Sequence, residues 1–219
     1  YGNYTIPWMR RFTRWSYSLA THLAPVHEWL IENNYCYDEE VPPKQGYKNL
    51  YPGATCPSTT IYFGYDPDKF FCKEEKIKGS FLTVSQMNPS NFFRKGIDLY
   101  IHLAEVFPEC TFTLVGNSTG MSYPSTPPNL TILPFVPYDE LRGMYAKHEF
   151  YFQVSMCEGF PSAPCEAMLC ECIPLVSDVA AMPTIVGEVG FILKKRNNLN
   201  NYLIEAPFLR GFFFFKLLV

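Results

Sequence analysis

Charge of one sign is what this chain lacks most. Its 18 Lys and Arg stand against 21 Asp and Glu, a balance of −3. That excludes a broad electrostatic grip on nucleic acid or an acidic membrane. Metal-ligand spacing is also missing: Cys170 and Cys172 form a lone C-x-C with no second pair and no nearby histidine, which argues against zinc. No D-x-D pair stands at a strand end, since "DPD" at Asp66 to Asp68 reads as a turn. No signal peptide precedes the eight cysteines, and Cys110, Cys157, Cys165 and Cys170 lie in apolar or helical surroundings. They read as reduced thiols serving as small hydrophobes, and the sequons at Asn3, Asn117 and Asn129 carry little weight without secretion. An initiating Met is absent, and "APFLRGFFFFKLLV" at the end has neither cap nor alternation. The expectation is a fragment whose residues 206–219 lie outside the native pattern. That segment is far too short to cross a bilayer.

What is present is enough apolar sequence for a core: 219 residues, 47% hydrophobic, with 19 Phe and 15 Tyr spread along the chain. Residues 10 to 35 read as a helix, a strand at Thr21 to Val26, and a second helix. A long loop runs from Asp38 to Thr59, a strand from there to Gly64, and "CKEEKIKG" reads as a linker. From Ser80 strands and helices alternate regularly. "SFLTVS", "TFTLVG", "LTILPFV", "EFYFQVS", "IPLVS" and "VGFIL" read as strands. "KGIDLYIHLAEVFP" reads as a helix with Ile97, Ile101, Leu103, Ala104 and Phe107 inward, and "YDELRGMYAKH" and residues 162–171 as two more. The strands are continuous apolar runs, as a sheet covered on both faces requires. The fold class is α/β, a doubly wound parallel sheet, whose ligands bind at the carboxyl ends of the strands.

Charged residues gather at those ends. "CEGFPSAPCEAM" follows "EFYFQVS" and carries Glu158 and Glu166. Ser162 reads as the N-cap of the helix and Pro164 fits its first turn. Glu166, in or just after that turn, could simply be serving the helix dipole. Glu158 stands in a Gly-Phe-Pro loop, where a charge must be solvated, paired or kept for a ligand. Upstream, Arg94 and Lys95 open the helix after "SFLTVS". A cation is disfavoured at a helix start, so they are either a solvated pair or project toward an anion such as pyrophosphate. A carboxylate ~4 Å from a phosphate oxygen would be repelled by roughly 4 kcal/mol at an effective dielectric near 20. Glu166 therefore suits the vicinal diol of a ribose, and the cations the phosphates.

These residues, with "IPLVSDVAAMPTIVGEVGFIL" after them, resemble the donor-binding domain of the family 4 glycosyltransferases, retaining enzymes of GT-B fold. The resemblance covers Ser80 to Leu193 well, and upstream "APVHEWL" and "IYFGYDPDKF" resemble the end of the acceptor domain and its link. It implies residues 1–78 as the incomplete end of the acceptor domain, 79–205 as the nucleotide-sugar domain, and 206–219 as the off-pattern tail. Carried over by position, Glu166 binds ribose and Glu158 is the catalytic-site acid beside the donor sugar. Lys95, with Arg94, meets the donor phosphates. Gly159, Phe160 and Pro161 present backbone to sugar and phosphate, and Phe135 and Val136 lie near the base. One departure stands out: the family's Gly-Arg after its first donor-domain strand is here Ser85-Gln86. Either Arg94 substitutes for that arginine or phosphate binding rests more on Lys95.

The implied function is transfer of a sugar, with retention, from a nucleoside diphosphate sugar to a glycan or lipid-linked acceptor. The implied setting is cytoplasmic, with membrane contact at most peripheral on the cytoplasmic face. No cofactor or metal is expected, and no nucleic acid. Two rivals use the same fold. An epimerase would place a histidine at a strand end, and none of His22, His27, His102 and His148 sits at one convincingly. A non-catalytic nucleotide-sugar binding module would be expected to lose Glu158 or Lys95.

Overall fold

The apolar runs after residue 76 pair edge to edge. β1 (Ile77–Val84), β2 (Thr111–Val115), β3 (Leu130–Leu133), β4 (His148–Gln153), β5 (Ile173–Ser177) and β6 (Phe191–Leu193) form one sheet in the order β3-β2-β1-β4-β5-β6. Every pairing is parallel. The computed structural model describes residues 6–32, 46–117 and 126–193. Its helices are α1 (Pro7–Leu19), α2 (Tyr47–Leu50), α3 (Pro89–Arg94), α4 (Ile97–Val106), α5 (Tyr138–Lys147), α6 (Ser162–Leu169) and α7 (Met182–Val186). Two compact units divide the chain, Tyr1–Gly64 and Tyr65–Val219; residues 206–219 lie outside the described residues.

In the second unit, strand periodicity places successive side chains on opposite faces, and both faces are apolar. Phe81, Phe112 and Phe150 stack across β1, β2 and β4 with ring centroids 4.8 Å apart on either side of Phe81. Ile97, Tyr100, Leu103, Ala104 and Phe107 cover them from α4, with Ile101 packed at the margin. The inward positions read from the sequence hold, and Tyr100 joins them. It is buried, and its hydroxyl lies 2.8 Å from Phe81 O and accepts from the Thr113 amide. On the other face Leu82, Val115 and Tyr151 meet Tyr145 and Ala167 from α5 and α6. The segment 65–76, read from the sequence as part of the preceding domain and link, packs here too. Phe70 is in this second cluster. The Lys76 ammonium donates to the carbonyls of Tyr145, His148 and Cys170, closing the ends of two helices.

Asn129 donates to the carbonyls of Ala104, Phe107 and Cys110, so its side chain fastens the end of α4 to the start of β3. Burial pushes the Cys110 and Cys170 thiols up to about 11 and that of Cys172 up to about 12. All three stay protonated at neutral pH and behave as apolar packing.

In the first unit two expectations need correction. The strands read at Thr21 to Val26 and Thr59 to Gly64 shrink to one parallel bridge, Leu23 with Ser58, flanked by amide–carbonyl contacts to Pro57, Thr59 and Ile61. Pro25 and Pro57 have no N–H, so a longer ladder cannot form. The helix read after Pro25 is a 3-10 turn over Glu28–Leu30. α1 buries none of its residues, and Trp8, Phe12, Trp15 and Leu19 form an exposed apolar stripe. A cavity of about 650 Å³ lies between α1 and residues 50–57, lined by Arg10, Arg14, Tyr17 and Tyr51.

Gly96 joins α3 to α4 in the left-handed region, at φ +73°. A Cβ there would stand 2.7 Å from Val154 O and 2.6 Å from its Cγ2. The turn therefore presses directly on the end of β4. Gly96→Ala should cost about 2–5 kcal/mol, summing the left-handed penalty and forced repacking. Urea unfolding checks this, and an unchanged midpoint would contradict it.

Candidate functional site

Strand order reverses between β1 and β4. The chain leaving β1 turns toward β2, and the chain leaving β4 turns toward β5. That reversal, at the carboxyl ends of β1 and β4, is where open α/β sheets form their ligand-binding crevice. Two contacts lock the following loops together. Besides the approach of Gly96 to Val154, the Met156 amide donates to Arg94 O at 2.8 Å. Asn88 starts α3 by accepting from the Asn91 amide, with Pro89 in the first turn.

Lys95 thus ends α3; it does not open a helix. It is the C-cap, with Arg94 in the last turn, where the dipole favours cations. The helix they were expected to open begins only at Ile97, because Asn88-Pro89 starts a separate short helix before it. Arg94 is exposed, and its guanidinium donates to Asn91 Oδ1 (2.6 Å from Nη2), while Asn91 Nδ2 donates to Gln86 O at 2.8 Å. Lys95 reaches across the crevice and pairs with Glu158. The Glu158 side chain is only 9% exposed. Its Oε1 also accepts from Gln153 Nε2 at 2.9 Å, and the Tyr151 hydroxyl donates to Gln153 Oε1 at 3.0 Å. A buried carboxylate is tolerated when a cation and a further donor serve it.

Glu166 is in a different position. α6 begins at Ser162, which is its first residue and not its cap. Pro161 precedes it and no side chain caps the end. Glu166 lies beyond the first turn, so the dipole reading fails. It is buried, and its Oε2 accepts from the Tyr145 hydroxyl at 3.2 Å. Among the described residues it makes no ion pair. Burial raises its pKa, and the Tyr145 hydrogen bond only partly opposes this. Burial raises the hydroxyl pKa values of Tyr65, Tyr138, Tyr145 and Tyr151, and the Glu166 charge adds to this in the same direction.

Of the other expected residues, Gly159 and Phe160 are half-buried and Pro161 is buried. Among the described residues a Cβ on Gly159 would meet nothing within 4 Å, so their packing does not require glycine there. Beyond β3, Phe135 is 75% exposed, while Val136 packs on the second core cluster. The Ser85 hydroxyl is buried with no hydrogen-bond partner among the described residues, and Gln86 is exposed. His148 opens β4, at the opposite end from the crevice, and His102 lies within α4. Among the described residues no three His, Cys, Asp or Glu side chains are grouped to hold a metal ion. Sequence reasoning missed Gln153, Tyr151 and Tyr145. The available signal was a polar Gln directly after the run Phe150-Tyr151-Phe152.

A family model described as "Glycosyl transferases group 1" matches residues 81–205. No curated protein sequence matches. Similar solved structures include sucrose-phosphate synthase from Thermosynechococcus elongatus, with TM-score 0.68 and 15% identity over 92% of this chain and 52% of that one. The pneumococcal O-GlcNAc transferase GtfA in complex with UDP and GlcNAc gives 0.55 and 17%, over 75% and 35%. A TarM variant from S. aureus in complex with fondaparinux, α-GlcNAc-glycerol and UDP gives 0.52 and 18%, over 67% and 31%. At these identities the likeness is one of fold. The chain spans about half the length of the first and about a third of the others.

The raised pKa of Glu166 has a definite sign in stability. The unfolded side chain titrates near its ordinary value of 4.5 and the folded one higher. Stability present below the unfolded value is therefore lost as pH rises through the folded value, because the buried carboxyl must then carry charge. Glu166→Gln should abolish this component. Its stability advantage over the parent should grow as pH rises above the ordinary carboxyl value of 4.5 and through the raised folded value, and then level off. Urea unfolding over that range tests it, and parallel profiles for the two proteins would refute it.

Proposed function

The chain belongs to the glycosyl transferases group 1 family, and from that premise we propose that its crevice is the donor site of a retaining glycosyltransferase. The donor would be a nucleoside diphosphate sugar and the acceptor a glycan or lipid-linked saccharide. One observation carries this reading: a lysine and a buried glutamate meet at the point where strand order reverses. Two of the similar structures are complexes with UDP, the ligand class proposed here.

In this reading Lys95 neutralises the diphosphate, with Arg94 adding charge from the crevice rim once it leaves Asn91. The amides at the start of α6, which no side chain caps, offer further donors to phosphate or sugar oxygens. During transfer the bond from the anomeric carbon to the diphosphate oxygen breaks and one to an acceptor hydroxyl oxygen forms. Negative charge gathers on the leaving diphosphate, where preorganised donors stabilise the transition state more than the ground state. Glu158 faces the sugar from the loop, with the backbone of Gly159, Phe160 and Pro161 beside it. Glu166 takes the ribose diol, which supplies hydroxyl donors to a carboxylate served, among the described residues, by the Tyr145 hydroxyl. Phe135 offers an exposed ring near the base, and Val136 supports it from the core. A diphosphate needs little protonation to depart, so the two glutamates are not a hydrolase acid–base pair, and no metal is invoked.

Titration calorimetry with UDP, GDP and ADP tests the assignment. Lys95→Ala and Glu166→Ala should each weaken the preferred nucleotide by about tenfold or more, the worth of one charge-assisted contact. Affinity unchanged by Lys95→Ala would remove the donor site from this crevice, and affinity unchanged by Glu166→Ala alone would remove only the ribose contact.

A further inference from the structure

Glu158 and Lys95 satisfy each other in this structure, which conflicts with the work proposed for Lys95. If a diphosphate takes the lysine, Glu158 loses its cation while 9% exposed. A buried carboxylate left bare would oppose the binding that removed its partner. The remaining contacts of Glu158 show how this is avoided. Gln153 Nε2 donates at 2.9 Å to Oε1, the same oxygen that holds Lys95. Gln153 itself is buried at the end of β4, and its carbonyl accepts from the Tyr151 hydroxyl at 3.0 Å. Tyr151 is fully buried, and burial pushes its hydroxyl well above the ordinary phenol value, so it keeps its proton and acts as the donor. That fixes the amide: its carbonyl faces a hydroxyl and its NH2 faces the carboxylate, whereas the flipped amide would set two acceptors against each other. Tyr151 and Gln153 lie two apart on one strand and project from the same face, so the relay is built on rigid sheet.

We propose that Gln153, oriented by Tyr151, is a positioning residue that holds Glu158 when Lys95 transfers to an incoming diphosphate. Glu158 is thereby the stand-in partner of Lys95 before a diphosphate arrives, and the Gln153 amide makes the exchange reversible. The inference rests on the donor-site reading above, and the test separates the two.

UDP and inorganic pyrophosphate serve as probes, because neither carries a sugar for Glu158 to contact. Calorimetry would compare the parent chain with Lys95→Ala, Gln153→Leu, Tyr151→Phe and the double variant Gln153→Leu/Glu158→Gln. Gln153→Leu should weaken binding about tenfold, since the lost bond matters most once the lysine has left. Tyr151→Phe, which keeps the ring that packs the sheet, should weaken it in the same direction by less. The double variant should recover parental affinity or better, because a neutral amide at 158 needs no stand-in cation. A merely structural role for Gln153 would not be rescued this way, and recovery also shows that the leucine variant folds. If Lys95→Ala weakens binding while Gln153→Leu binds like the parent, or the double variant fails to recover, the relay is overturned and the donor site stands. Binding indifferent to Lys95→Ala, or no binding of either probe, overturns both.

Discussion

The pairing of β1 with β4 is the contact on which the rest of this molecule depends. Phe81 stands opposite Phe150, and Leu82 opposite Tyr151. These two adjacent pairs point to opposite faces of the sheet, so one register supplies the centre of both core clusters. The same neighbours send their following loops in opposite directions, which opens the crevice. Core and site are therefore not separate achievements of the sequence. A slip of one residue between these strands would turn Tyr151 and Gln153 to the other face and dismantle the Glu158 contacts together with the core.

Two glycines carry the consequences of that pairing outward. Gly96 presses on Val154, and Gly116, at φ +123°, lies where a Cβ would stand 2.2 Å from Ser85 O. Each brings a loop against the end of a neighbouring strand, closer than any side chain would allow. Lys95 immediately precedes the first of them, so its reach toward Glu158 follows from backbone geometry and not from the length of a lysine alone. Arg94, on the same turn, is drawn aside by Asn91, so two adjacent cations have different partners.

Much of the sheet was legible because a strand covered on both faces must be apolar at every position, and runs such as "FLTV" and "FYF" have no other use. The covering helix α4 was legible from its spacing. What failed has a common cause in short elements. α3 is only Pro89–Arg94, too brief to show a period, and its Asn-Pro start is also a turn signal. Reading it as loop displaced Arg94 and Lys95 to the wrong end of a helix. At α6 the cap signal of Ser162 was misleading, since Pro161 already supplies the extended residue before the helix. In the first unit Leu23 and Ser58 meet only once, and proline blocks what β-branched composition promised. The apolar stripe of α1 was present in the sequence, but the described residues provide no surface that covers it.

The site was legible as a set of residues and not as a set of contacts. Spacing brought out Glu158 and Glu166 as a pair, whereas the fold gives them opposite electrostatic conditions. Glu158 is neutralised by a lysine and held by an amide; Glu166 has a single hydroxyl and a raised pKa. That asymmetry also determines what each can accept. An acid already served by a cation gains little from another donor but must give up its cation to an anion. An acid short of donors gains directly from a ligand's hydroxyl groups, because each new bond offsets desolvation already incurred on folding. On the proposed donor-site reading, anion and diol would be told apart by how completely each glutamate is satisfied in the folded chain, and a nucleoside diphosphate carries both groups in one ligand.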